Sequence, residues 1–406
     1  MELHLAHLTF EETLVNTNIM LLMMGIPPCE EPYPVGMLAA LRRNAGFIGS
    51  FLLLSYTTIG ELIYLGRMFE REVNFLEVTF QAPCIGYCII GVLKMIILAG
   101  RRNTIAELVG MFRAKWKQAI VDDEHWKVCE ATMRPAIRVT SVTALANVVM
   151  GISFTMLPIA EMIYHHHYTG IWNRQLAFNI WWPFDAFTGA KYFWFIYPLY
   201  VVIGFTGIII HMAFDCLFCI LAAHLCMHFR ILEHNLTRTV EQNEQQGNIN
   251  GSSMARLQNA VVNHQDLIGC SVFMQNVFGN TLFINFFGSS IIICIQMFMI
   301  TTVSGYMLVK FLLFMLCFLI ELLMLCAYGE DIVESSGSLI NAAYGCQWYD
   351  ESKPFHRTIL QIMHRSQQPV LLTAWKIWPI QLITFSRILQ ASWSYFTLLK
   401  TVYGDK

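Results

Sequence analysis

Residues 306–328 read YMLVKFLLFMLCFLIELLMLCAY, a run whose only charged positions are Lys310 and Glu321. A helix rises about 1.5 Å per residue, so a run of this length crosses the roughly 30 Å hydrocarbon core of a bilayer. It is also too uniformly apolar for a surface helix of a soluble domain, which keeps one polar face. Similar runs lie at 44–65, 75–99, 136–163, 192–225, 267–302 and 377–402, giving seven spans. Composition agrees: 56% of residues are hydrophobic, 13% are charged and the mean hydropathy is +0.50, whereas soluble domains are about a quarter charged. The expected fold is an all-α polytopic membrane protein with seven transmembrane helices.

The fourth and fifth patterns overrun a bilayer. HLCMHFRILEHNL (224–236) continues the fourth, and MARLQNAVVNHQDLIG (254–269) leads into the fifth with apolar residues at helical spacing. Between them, the Gln-, Asn- and Gly-rich stretch from Val240 to Ser253 reads as a flexible linker. Lys and Arg concentrate in cytoplasmic connections. With the N-terminus inside, 17 fall in inside connections and 7 outside, while Arg138 and Arg387 lie within spans. The count predicts a cytoplasmic N-terminus, an extracellular C-terminus and long helices extending into a cytoplasmic anchor domain. The formal net charge of -2 calls for no nucleic acid. Acidic Glu2, Glu11 and Glu12 stand where a signal peptide would be basic, so no cleaved signal is expected.

Enzyme chemistry is not visible. No catalytic constellation, metal spacing or cofactor loop stands out; Cys216-x-x-Cys219 lacks a second pair, and its thiols fit lipid-buried hydrophobes. His165, His166 and His167 read as a solvated loop at the outer end of the third span. Glu161, Asp215 and Glu321 are ionisable residues at or inside spans, candidates by default for function. Glu161 is expected at the outer interface, Asp215 bonded within its helix, and Glu321 at a packed or wet seam. A transporter would show two related halves with broken helices, and no repeat is seen. A G-protein-coupled receptor would have the opposite orientation; no Asp-Arg-Tyr follows the third span, and the seventh holds no Asn-Pro-x-x-Tyr.

The most specific segment is C-terminal: CAYGEDIVESSGSLINAAYGCQWYD (326–350), RTILQIMHRSQQPVLLTAW (357–375) and FSRILQASWSYFTLLK (385–400). It resembles the insect odorant receptors in Cys326-x-x-Gly329, in Ser338, Ala342 and Tyr344 before Trp348-Tyr349-Asp350, and in Ser394 to Leu399 closing the last helix. Trp181-Trp182-Pro183-Phe184-Asp185 is a weaker similarity. The Thr-Tyr-x-x-x-x-x-Gln-Phe pattern of the related gustatory receptors is absent from the last span. Physically, Gly329 permits close backbone approach, Ser335, Ser336 and Ser338 can bond carbonyls across an interface, and Tyr344, Trp348, Tyr349 and Asp350 suit a subunit anchor, the alternative being packing of a local hairpin.

The resemblance implies a subunit that binds small volatile odorants and gates a non-selective cation channel, a hetero-oligomer of four subunits joined at their cytoplasmic ends, with a shared co-receptor in the plasma membrane of a sensory dendrite. The co-receptor has a much longer loop between spans four and five, so this chain is expected to be the ligand-tuning partner. The ligand site is expected among Phe80, Pro83, Cys84 and Tyr87; Met150, Ser153, Phe154 and Leu157; and Phe195, Leu199, Tyr200, Ile203 and Phe205, with packing between helices the alternative for each. In the last span Ser386, Gln390, Ser394, Thr397 and Thr401 alternate with apolar Leu389, Leu398 and Val402. By family position Leu398 and Val402 fall on a hydrophobic gate with Thr401 beside them; lipid contact is the alternative. The expected parts are thus 1–43, a cytoplasmic segment; 44–235, helices one to four with the pocket; 236–266, linker and helix extension; 267–328, helices five and six; 329–376, the anchor; and 377–406, the pore helix and C-terminus.

Overall fold

The computed structural model describes residues 8–26, 37–70, 75–172, 174, 176–184, 190–240 and 253–403. Its helices are α1 (Phe10–Met23), α2 (Met37–Phe69), α3 (Phe75–Gly100), α4 (Arg102–Ala119), α5 (Asp123–Thr169), α6 (Ala190–Thr237), α7 (Ser253–Thr302), α8 (Tyr306–Gly337), α9 (Leu339–Gly345), α10 (Lys353–Ser366) and α11 (Leu382–Tyr403). Six of them, α2, α3 and α5 to α8, are long and apolar enough to cross a membrane. The seventh, α11, has 22 residues, enough for a crossing, but its polar stripe makes it less apolar than the rest.

The long helices overrun the bilayer as expected for α6 and α7, with 48 and 50 residues, about 70–75 Å each at helical rise. α5 does so too, with 47 residues starting at Asp123, well before the expected 136; Asp122 caps it by accepting from the His125 backbone N–H at 2.9 Å. Its far end corrects a second expectation. His165, His166 and His167 lie in the last turns of α5, not in a loop, and the His166 ring stacks on Trp172 at 4.1 Å. The linker reading falls on 241–252, outside the described residues, as does Asp185.

α6 is the central post. From Ile210 to Phe229 every side chain is buried, because α3, α5, α7, α8 and α1 surround it, and a helix apolar on all sides is stable only in such a position. α1 packs beneath, started by a capping box: the Thr9 N–H donates to Glu12 at 2.6 Å and the Glu12 N–H to Thr9 Oγ1 at 3.3 Å. Those bonds hold the Glu12 carboxyl below its ordinary value.

The last span begins later than the expected 377, because 373–379 form a two-stranded hairpin, β1 (Thr373–Ala374) and β2 (Trp378–Pro379), paired antiparallel. In its three-residue connection Trp375 and Lys376 both have positive φ, 51° and 58°, the signature of a primed turn, which the Ile377 N–H closes on the Ala374 carbonyl at 3.1 Å. Gln275 of α7 clamps it from below, accepting from the Thr373 N–H at 2.6 Å and donating to the Thr373 carbonyl at 2.5 Å. Gly329 explains the fit on the other side. A Cβ there would sit 2.0 Å from the Ile380 carbonyl oxygen, so the backbone it admits is that of the segment leading into α11. Of the three serines, Ser336 accepts from the Val370 N–H at 2.9 Å, Ser338 donates to Glu233 of α6 at 2.7 Å, and Ser335 donates to the Ile332 carbonyl of its own helix at 3.3 Å.

Candidate ligand cavity, buried ion cluster and last helix

α2, α3, α5, α6 and α8 line an apolar cavity in their outer halves, with about 520 Å³ of space between its walls when its open side is included. Close approach of α5 to α6 shapes it: a Cβ on Gly151 would lie 2.4 Å from Ile208 Cδ1. Of the expected ligand residues, Cys84, Tyr87, Met150, Phe154 and Ile203 line the cavity. Tyr200 sits behind Phe178 in a neighbouring cluster and accepts from the Trp182 indole N–H at 3.2 Å; Leu199 packs on the same cluster. Phe205 contacts the α5–α6 approach beside Gly151. Phe80 packs edge-on to Phe311, Pro83 is buried within α3, and Ser153 and Leu157 are half-buried without reaching the cavity wall. Phe195 is 84% exposed, on the face of α6 opposite its buried neighbours Phe193, Ile196 and Tyr197, and turns away from the cavity.

Among the lining residues that were not foreseen, such as Leu54, Cys88, Ile208 and Phe314, two contributors stand out. The segment 176–184 folds inward as a cover: Phe178 lines the cavity, Gln81 brackets Asn179 by bonds of 2.9 and 3.2 Å, the Trp181 N–H donates to the Gly60 carbonyl at 3.0 Å, and the Lys310 ammonium donates to the Ala177 carbonyl. Glu61 of α2 is the other, a fully buried carboxyl on the cavity wall.

Beneath the cavity lies a buried ion cluster. The Lys94 ammonium reaches Asp215 Oδ2 at 2.7 Å, His211 Nδ1 at 3.3 Å and Glu321 Oε1 at 3.5 Å. Asn285 of α7 donates to Glu321 Oε1 at 3.4 Å. Because an ammonium can only donate, His211 Nδ1 accepts, so Nε2 carries the ring proton and donates to the Tyr87 carbonyl at 3.1 Å. The Tyr87 ring stacks on His211 at 4.0 Å. The cluster thus joins α3, α6, α7 and α8 directly under a cavity residue. His211, Asp215 and Glu321 offer ligand atoms within 4.8 Å of one another, a spacing that could hold a metal ion, but Lys94 already brings a cation to all three. Lys94 is therefore no cytoplasmic loop residue, and Asp215 bonds across helices rather than within its own. Lys310, counted as an outer loop residue, is likewise buried, 3.9 Å from the Phe154 ring centroid. Removing both lowers each side of the charge count by one and leaves its sense intact.

α11 has two unlike faces. Thr384, Ile388, Ser392 and Phe396 are buried at four-residue spacing, and the Ser392 hydroxyl donates to the Ser290 carbonyl of α7 at 3.0 Å. Ser386, Gln390, Ser394, Thr397 and Thr401 are all exposed; at 100° per residue they cluster on the side opposite. Leu398 and Val402, 60% and 53% exposed, flank that polar stripe. In the anchor segment Tyr344 and Tyr349 point outward at 68% and 64% exposure and Asp350 is exposed, whereas Trp348 turns inward, donating to the Tyr344 carbonyl at 3.2 Å with its ring edge-on to His356.

This architecture defines a multi-pass helical membrane protein with an apolar cavity in its outer half and a long-helix base. Residues 74–393 match the family model described as 7tm Odorant receptor, and the chain belongs to that family. Among relatives, it is 23% identical over 365 residues to Odorant receptor 67c of Drosophila melanogaster, covering 89% of this chain and 88% of the relative. It is 26% identical over 367 residues to Putative odorant receptor 85d of the same species, covering 88% and 86%. Its fold is similar to that of the insect olfactory receptor OR5 from Machilis hrabei in complex with eugenol, with a TM-score of 0.82 at 17% identity over 97% of this chain and 98% of that one. The family is one of receptors rather than enzymes.

Proposed function

We propose that this odorant receptor is the odorant-binding subunit of a ligand-gated, non-selective cation channel, assembled in the plasma membrane with the family's shared co-receptor, and that α11 lines the ion path. The observation that carries this reading is the polar stripe of α11, held away from the rest of its own chain. Ser394, Thr397 and Thr401 donate back to the Gln390, Ser394 and Thr397 carbonyls at 3.0, 2.8 and 2.9 Å, but the Gln390 amide has no hydrogen bond among the described residues. A buried amide without a partner costs roughly 1–3 kcal/mol or more, so on a helix of bilayer length it belongs in water or against another subunit. Leu398 and Val402 then narrow the path near its outer end, where an apolar constriction closes by dewetting.

The odorant is a small volatile molecule held in the aromatic cavity, chiefly by Cys84, Tyr87, Met150, Phe154 and Ile203. Tyr344 and Tyr349 are the anchor contacts to neighbouring subunits, because large exposed aromatics on a wet segment are interface residues. The test is current recording from cells expressing the chain with and without the co-receptor. Odorant-evoked current with the co-receptor and none without it is expected; robust current from the chain alone overturns the assignment.

A further inference from the structure

The cavity wall is almost wholly apolar, and its polar groups are few. The Thr155 hydroxyl is spent on the Gly151 carbonyl at 2.8 Å. Cys84 and Cys88 offer only weak donors. Glu61 is different. It is fully buried, its Oε1 accepts one long bond from the Gln81 amide at 3.4 Å, the neighbouring Cys88 thiol offers it only a weak donor, and its Oε2 has no hydrogen bond of normal geometry. The Tyr87 hydroxyl on the same wall is buried and equally without a partner. Native interiors leave few polar atoms unsatisfied, and those left over at a cavity mark where a ligand completes the bonding.

We propose that the cavity selects small, apolar-bodied alcohols or phenols, with the Glu61 carboxyl as the specificity-determining group and the Tyr87 hydroxyl as a second wall group. The inference rests on the ligand-binding reading above. A ligand hydroxyl both donates and accepts, so it satisfies Glu61 Oε2 whether or not that oxygen carries a proton. An ether, ester or ketone only accepts, so it pairs that oxygen only when the oxygen carries a proton, and an alkane does neither. A site with an unpaired buried polar group rejects a ligand that fails to pair it far more sharply than it rejects a change of size.

The experiment is a dose-response panel of alcohols, phenols, their methyl ethers, matched ketones, esters and alkanes. It is run on the wild type, Glu61→Gln and Glu61→Leu, each expressed with the co-receptor. The wild type is expected to respond to hydroxyl compounds at concentrations at least about tenfold below their methyl ethers. Glu61→Gln, whose amide N–H donates to an ether as readily as its oxygen accepts from a hydroxyl, keeps the hydroxyl responses but narrows that preference. Glu61→Leu loses it while retaining ether responses, which shows that the variant is folded. Best agonists that lack a hydroxyl, or an undiminished preference in Glu61→Leu, overturn the inference while leaving the receptor reading in place. Silence of the wild type to every compound, beside a functional co-receptor, counts against the receptor reading itself.

Discussion

Replacing Lys94 by Met removes the only ammonium from a cluster with two carboxyls, and the structure sets the size of the effect. Lys94 meets Asp215 at 2.7 Å and Glu321 at 3.5 Å, with the side chains of all three essentially buried. At an effective dielectric constant near 20 these contacts amount to about 6 and about 5 kcal/mol of gross attraction, less at least about 3 kcal/mol of repulsion between two carboxylates within 4.8 Å of each other. Much of that offsets the desolvation of the ions, and the net loss on deleting one partner of a buried pair is about 3–5 kcal/mol. Lys94→Met belongs at or above the top of that range, since it strands both carboxyls. Asp215→Asn and Glu321→Gln each leave one ammonium facing one carboxylate and keep a polar side chain in place, so each should cost clearly less. The assay is thermal stability of the detergent-solubilised receptor, read as the monodisperse fraction after heating. The expected order is Lys94→Met far less stable than either amide variant, with Asp215→Asn added to Lys94→Met recovering part of the loss. Equal losses in all three single variants would refute the charge argument, because the cluster would then be held by shape alone.

Two other perturbations test the outer and inner ends of the molecule. Leu398→Ala or Val402→Ala should raise basal current in the co-expressed channel, since each removes apolar bulk from the proposed constriction; unchanged gating in both argues against that assignment. Tyr344→Ala with Tyr349→Ala should lower the oligomeric fraction on size exclusion without lowering monomer stability, because both rings are mostly exposed within one chain. A stability loss instead would place them in local packing, as Trp348 already is.

The crossing helices were legible because about twenty apolar residues have few other uses. Boundaries were less so. Asp123 to Pro135 looks polar enough to be a connection, and only the Asp122 cap marks it as the start of α5. α4 was not foreseen, although Ile105, Leu108, Val109, Phe112 and Trp116 have helical spacing. Lys94 was read as a loop charge although it sits within the apolar run CIIGVLKMIILAG. A charge in such a run is the signal that could have found the cluster, but its partners lie 121 and 227 positions away, where one sequence pairs nothing. Glu61, inside the first span, carried the same signal. In the cavity, Cys84 and Tyr87 of α3 and Met150 and Phe154 of α5 lie on the wall, whereas Phe80, Pro83, Ser153 and Leu157, read from the same two helices, do not. Phe195 was misplaced because α6 is apolar on every side, so periodicity gives no direction. The opposite holds for α11: its polar stripe has a helical period, and the structure places that stripe on its exposed face.

The central claim is that this exposed face of α11 meets the ion path, and cysteine scanning tests it most directly. Single cysteines at Gln390, Ser394, Thr397 and Thr401, and at the buried positions Ile388 and Ser392, would be exposed to a charged thiol-reactive reagent during odorant stimulation with the co-receptor present. The account predicts rapid, irreversible change in current at the four stripe positions and none at the two buried ones. Modification of Ile388 and Ser392 with the stripe left unaffected would contradict it.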